Sequence, residues 1–174
     1  MEEKKPMTHV HAGLSIGAAI IIASIISIVV GSGTAKPGSG FITYAILLAG
    51  LVIVISLYGK AKNNKVTFGE LFSYGFKTTA VYTITFIGFL ILFSLLSPGF
   101  KTGALDETRK QMESGSNVRQ QQIEQSITAL EKNFWVFAIG ATTLFFVVIG
   151  ALGSLLGAAI TKKTPSAPND KTVI

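Results

Sequence analysis

Cysteine is absent from the chain, which excludes a disulfide framework, a thiolate metal site and a cysteine nucleophile. Charge is scarce as well. Only 14% of the residues are Asp, Glu, Lys or Arg, against about 25% in an average soluble domain. Histidine occurs twice, at His9 and His11. The scarcest arrangement is a polar one at depth: four long runs hold no Asp, Glu, Lys, Arg or His at all. Ion-coupled transporters and proton relays place such groups inside the bilayer, so a secondary transporter is disfavoured. A paired-carboxylate or metal-dependent enzyme needs convergent acids or histidines, which the chain does not cluster. The expectation is no enzyme, no cofactor and no metal.

What is there is apolar: 49% of 174 residues, with a mean hydropathy of +0.54. A hydrocarbon core about 30 Å thick takes about 20 apolar residues in a helix. Four runs meet this: 13–30, 41–58, 78–97 and 134–160. The first could be read as a signal peptide, with Lys4 and Lys5 ahead of it and Gly33-Thr34-Ala35 as a small-residue cleavage site. Its charge-free run exceeds the 7–15 residues of a signal core, so a retained anchor is expected. The fourth run is longer than a perpendicular crossing needs. It should tilt, or lift Phe134 and Trp135 into the headgroup layer. The sequence thus predicts an all-α integral membrane four-helix bundle, spanning 13–163 after a short N-terminal segment (1–12).

Lysine placement predicts orientation. Lys4, Lys5, Lys60, Lys62, Lys65, Lys77, Lys162, Lys163 and Lys171 fall on the side that holds both termini. The other side has Lys36 and a long loop (98–133) in which Lys101, Arg109, Lys110, Arg119 and Lys132 are balanced by Asp106, Glu107, Glu113, Glu124 and Glu131. Both termini are therefore expected in the cytoplasm. The net charge of +6 then faces an anionic leaflet, where each Lys is worth about 1 kcal/mol. The pI of 9.6 needs no nucleic-acid partner, and no nucleic-acid-binding motif is present. Lys60, Lys62, Lys65, Lys77, Trp135, Lys162 and Lys163 are the expected interfacial residues.

Between spans two and three, Thr67 and Glu70 have capping-box spacing, predicting a helix start. Phe68, Leu71, Phe72 and Phe76 then share a face, and Lys77 can snorkel to the headgroups. A docking element is one reading and an interfacial lead-in to span three is the preferred one. The loop 98–133 should be helical. Asp106/Lys110 and Arg109/Glu113 are opposite charges at i,i+4, Gly115-Ser116-Asn117 interrupts, and Ile123, Ile127, Leu130, Phe134 and Phe137 form a helical stripe. That stripe predicts one helix from about Val118 to about Thr161. It must pack on the Leu105/Thr108/Met112 face or on a partner. The tail 164–174, with Pro165 and Pro168, reads as disordered.

Two motifs carry no chemistry. Gly13-Leu14-Ser15-Ile16-Gly17 matches the nucleophile-elbow pattern, but it opens a membrane helix and no His follows it. His9 and His11 would face one side of an extended chain, yet no third ligand is near. The same glycines read better as packing positions. Gly13 and Gly17 with Ala19, Ala23 and Ser27, and Gly150, Gly153 and Gly157 in span four, are small residues that let helices approach in lipid. The spacing leaves open whether the contacts lie within or between chains.

Three segments together resemble a bacterial membrane family, the domain of unknown function 4199, found mainly in Bacteroidota. They are Leu57-Tyr58-Gly59-Lys60, the stretch Val66-Thr67-Phe68-Gly69-Glu70-Leu71-Phe72 with Gly75-Phe76, and Ile149 to Ile160 before Lys162-Lys163. The resemblance implies a small four-helix inner-membrane protein and supplies no catalytic or binding residues. The functional expectation is an accessory or scaffold subunit, in contact with a membrane-protein partner or with itself. The alternative is an oligomeric channel or lipid-handling protein.

Overall fold

The structure, a computed structural model, describes residues 6–29, 39–115 and 119–164, with the backbone alone at 28–29 and 39–43. Among these residues there are six helices and no strand: α1 (His9–Val29), α2 (Ser39–Ala61), α3 (Phe68–Leu96), α4 (Phe100–Ser114), α5 (Gln120–Lys132) and α6 (Phe134–Ile160). Four of them, α1, α2, α3 and α6, are long and apolar enough to cross a membrane. The architecture is the all-α membrane bundle that the sequence predicts. The Lys4-Lys5 pair, the first loop with Lys36, Ser116 to Val118 and the tail from Pro165 lie outside the described residues.

The four long helices pack as a ring in the order α1, α3, α6, α2, closed by the α1–α2 contact. Its centre holds Ile16, Ile20, Leu47, Leu51, Ile55, Leu71, Tyr82 and Phe146. The outward faces are apolar too. Ile84 is 71% exposed and Val136 73% exposed, which is stable only where the surroundings are hydrocarbon. The polar atoms inside are mostly answered by their own helix. Thr78 Oγ1 donates to Tyr74 O (2.8 Å), Thr79 Oγ1 to Gly75 O (3.1 Å) and Thr83 Oγ1 to Thr79 O (2.8 Å). The hydroxyls of Tyr82 and Ser154 are buried without a hydrogen-bond partner among the described residues.

Span three is one helix with its lead-in. Thr67 caps it: Glu70 N–H donates to Thr67 Oγ1 (3.2 Å), and Thr67 N–H donates to Glu70 Oε2 (2.7 Å). Both halves of the box form, satisfying two amides that the first turn leaves unpaired.

Two expectations for the long loop change. The helix from Val118 to Thr161 is divided at Asn133, whose φ of −120° and ψ of 32° leave the helical region. Asn133 N–H still reaches Ala129 O (3.2 Å), and Phe137 N–H reaches Asn133 O (3.1 Å). The helix is interrupted where its two halves pack differently. Ile123 and Ile127 are buried within an α4–α5 hairpin, while the buried residues of α6 begin at Phe146. Asparagine, a weak helix former, sits at the join. Second, Arg109 pairs with Glu124 of α5 rather than with Glu113. The stripe accordingly packs within the chain, with Phe137 at its far end left exposed.

Candidate functional site

The five glycines singled out by spacing all sit at contacts between helices of the same chain. A Cβ at Gly13 would meet Val81 and the Thr78 carbonyl, and one at Gly17 would meet Thr85. In α6, Gly150 faces Thr79, Gly153 faces Leu51, and Gly157 faces Ile55. Sequence reasoning missed Gly75, which lies against Ile55 and Ser154, and Gly59, which lies against Thr161. Gly75 carried a signal, since Gly75, Thr79 and Thr83 form a small-residue row at four-residue spacing.

The predicted interfacial lysines gather at one end of the bundle. Ser56 and Thr161 share a hydrogen bond (3.2 Å), and Thr164 N–H donates to Asn64 O (2.8 Å), tying the end of α6 to the α2–α3 turn. That turn holds Asn63 and Asn64 at φ of 54° and 60°, left-handed conformations that Asn tolerates better than most residues. Tyr74 Oη donates to Met7 O (3.1 Å), bringing the N-terminal segment to the same end. Lys60, Lys62, Lys65, Lys77 and Lys162 are exposed there. Lys163 is not a free snorkelling cation. Its Nζ donates to Ala158 O (2.6 Å) and lies 5.6 Å from the Phe68 ring centre, capping the carbonyl end of α6.

At the opposite end, Phe93, Phe100, Phe134 and Trp135 form a chain of edge-on ring contacts across α3, α4 and α6. Of these the sequence singled out Phe134 and Trp135, and Trp135 is 40% exposed. Such rings suit a membrane–water boundary.

Between the basic end and the charge-free part of span three lies a cavity of about 520 Å³, formed by the segment before α1, the end of α2 and the start of α3. Tyr58 and Tyr74 stack at 4.2 Å along it. Lys62, Lys77, His9 and Glu70 line it. The sequence pattern of one protein family, described as "Protein of unknown function (DUF4199)", matches residues 11–163 and so takes in most of α1, the α2 and α3 walls of this cavity, and α6, while the wall before α1 precedes it. The chain belongs to the DUF4199 family. Comparisons with curated proteins and with solved structures found no match. What DUF4199 contributes is therefore the extent of one family unit, with no activity attached.

Two other sequence motifs of this DUF4199 chain resolve simply. Ser15 lies exposed inside α1 rather than on a strand-to-helix turn. His9 and His11 lie on a helix rather than an extended chain, so two-residue spacing turns them apart. His11 Nδ1 is 2.7 Å from Thr8 Oγ1, within the α1 cap. No group of three or more His, Cys, Asp or Glu is placed to hold a metal among the described residues.

Glu70 sits outside the charge-free stretch, and its carboxyl titrates below the ordinary value of 4.5. The Thr67 amide and then the Thr67 hydroxyl hold the charged form, with a smaller pull from Lys62. A lowered folded value makes the cap fully effective above pH 4.5. The contribution fades as pH falls through the lowered value. Glu70→Gln keeps a capping partner without the ionisation. Its stability relative to the native chain should therefore improve on moving from about pH 6 to about pH 3, read by thermal unfolding in detergent. A constant difference would remove ionisation from the capping argument.

Proposed function

We propose that the protein is a non-enzymatic accessory or scaffold subunit of the bacterial inner membrane, with both termini cytoplasmic. The reading is carried by two uncovered glycines in the charge-free stretches of α3 and α6. Gly13, Gly17, Gly75, Gly150, Gly153 and Gly157 are used inside the bundle, but a Cβ at Gly88 of α3 or Gly140 of α6 meets nothing within 4 Å. The register that sets Thr79 against Gly150 and Gly75 against Ser154 places Gly88 and Gly140 at one depth on neighbouring helices. Close approach over small residues is a main source of helix association in lipid. The buried threonines support the same reading, because hydroxyls turned back on their own helix offer little to a solute.

Native mass spectrometry on the tagged chain, extracted in mild detergent from its own host membranes, tests this. A heteromeric mass, or a homo-oligomer that conducts nothing in liposomes, is the expected result. Gly88→Leu with Gly140→Leu should disperse that assembly while leaving the chain folded. A bare monomer would overturn the reading, and solute flux or lipid transfer by folded protein would replace it with the channel or lipid-handling alternative.

A further inference from the structure

The basic cavity has the features of a binding site, and they do not depend on the subunit reading. Lys62 closes it from just past the end of α2 and Lys77 from the third turn of α3. Neither lysine has an ion-pair partner among the described residues. Among the described residues the one carboxylate in the wall is that of Glu70, whose Oε2 is taken up by the Thr67 amide (2.7 Å) and hydroxyl (3.2 Å). Its charge is held mainly by the helix cap, with a smaller pull from Lys62. Ser73 and Tyr58 bring hydroxyl donors to the wall, where Tyr58 stacks on Tyr74. The Tyr74 bond to the Met7 carbonyl fixes the far side.

Depth is the second consideration. Lys77 directly precedes the charge-free stretch that begins at Thr78, so the cavity opens at the level of lipid headgroups. From Gly69 to Lys77 the helix rises about 12 Å, a wall tall enough for a headgroup and its phosphate. Gly69 also lines the cavity, and nothing stands within 4 Å of where its Cβ would be. The space is open rather than filled.

We propose that this cavity binds a phosphate-bearing anion, held by Lys62 and Lys77 with hydroxyl donors beside them. Phosphate chemistry can reach it as an anionic phospholipid headgroup or as soluble phosphate. The test uses the full chain in nanodiscs of phosphatidylcholine, with and without phosphatidylglycerol, and reads the thermal unfolding midpoint. Inorganic phosphate is titrated into the phosphatidylcholine discs at constant ionic strength. Ligand that binds only the folded chain raises the midpoint. A rise with phosphatidylglycerol alone assigns the site to lipid, and an equal rise with inorganic phosphate assigns it to a soluble anion.

Lys62→Gln with Lys77→Gln should weaken the effect about 30-fold in ligand concentration, at the usual worth of a lysine near anionic lipid. Lys60→Gln with Lys65→Gln removes as much charge outside the cavity and should keep the rise. Gly69→Glu puts a carboxylate into the open space at a helix position where acids are favoured. It should stay folded and lose the rise, so the test survives a failure of the lysine variants to fold. No rise with either phosphate source overturns the proposal. Equal losses in the two lysine pairs, or a rise retained by Gly69→Glu, also overturn it.

Discussion

Replacing Gly150 by Ala should destabilise the bundle by about 1–3 kcal/mol, the usual cost of forcing an extra methyl into a packed core. The added Cβ would fall 2.5 Å from Thr79 Oγ1 and 2.8 Å from Thr79 Cβ, with Thr79 Cγ2 closer still. Thr79 cannot readily turn aside, because it is 1% exposed and its hydroxyl is bonded to Gly75 O. The clash therefore has to be relieved by moving α3 from α6, the most extensive helix pair in the fold. Gly140→Ala makes the matched control. Nothing lies within 4 Å of its Cβ position, and Ala is the better helix former by up to about 1 kcal/mol. The same substitution on the same helix should thus have opposite signs, measured by unfolding in mixed micelles. Thr79→Ala added to Gly150→Ala should recover part of the loss, since it removes two of the three clashing atoms. Equal stability of Gly150→Ala and the native chain would mean that the helices are not in contact there.

Much of this was legible in the sequence because it is written locally. Charge-free runs gave the four long helices, Thr67 and Glu70 the start of α3, and four-residue glycine spacing the close contacts. The partner of each glycine was not legible. Spacing along α6 says that one face is small, but only the fold says that this face meets Thr79, Leu51 and Ile55. The same limit misassigned Arg109. An i,i+4 rule sees Glu113 on its own helix and has no view of Glu124 across the hairpin.

The candidate cavity was less legible still. The sequence reads Lys62 and Lys77 as separate interfacial residues, with snorkelling assigned to Lys77, and sets His9 only beside His11. Their meeting depends on Tyr74 reaching back to Met7 across 67 positions of chain, a contact no local pattern encodes. Lys163 shows the opposite case. Its position after a helix end is a recognisable capping signal, but the apolar run before it drew the reading toward the membrane surface.

Orientation carries the other large effect, an all-or-none one. The chain has no cysteine, so a single introduced thiol labels without background. In intact spheroplasts an impermeant thiol reagent should modify the chain with Gln121→Cys and spare the one with Lys65→Cys. Both positions are exposed, so access in solution does not distinguish them. Lys65 is chosen over Asn63 and Asn64 because those two hold left-handed backbone that a cysteine would strain. The argument for the outcome combines the lysine bias with the contacts that gather Met7, Asn64 and Thr164 at one end. Labelling only at position 65 would invert the chain, and labelling at both would mean two orientations coexist. Either result would also move the Lys62–Lys77 cavity to the outer leaflet in some or all copies. Its phosphate ligand would then have to come from that side.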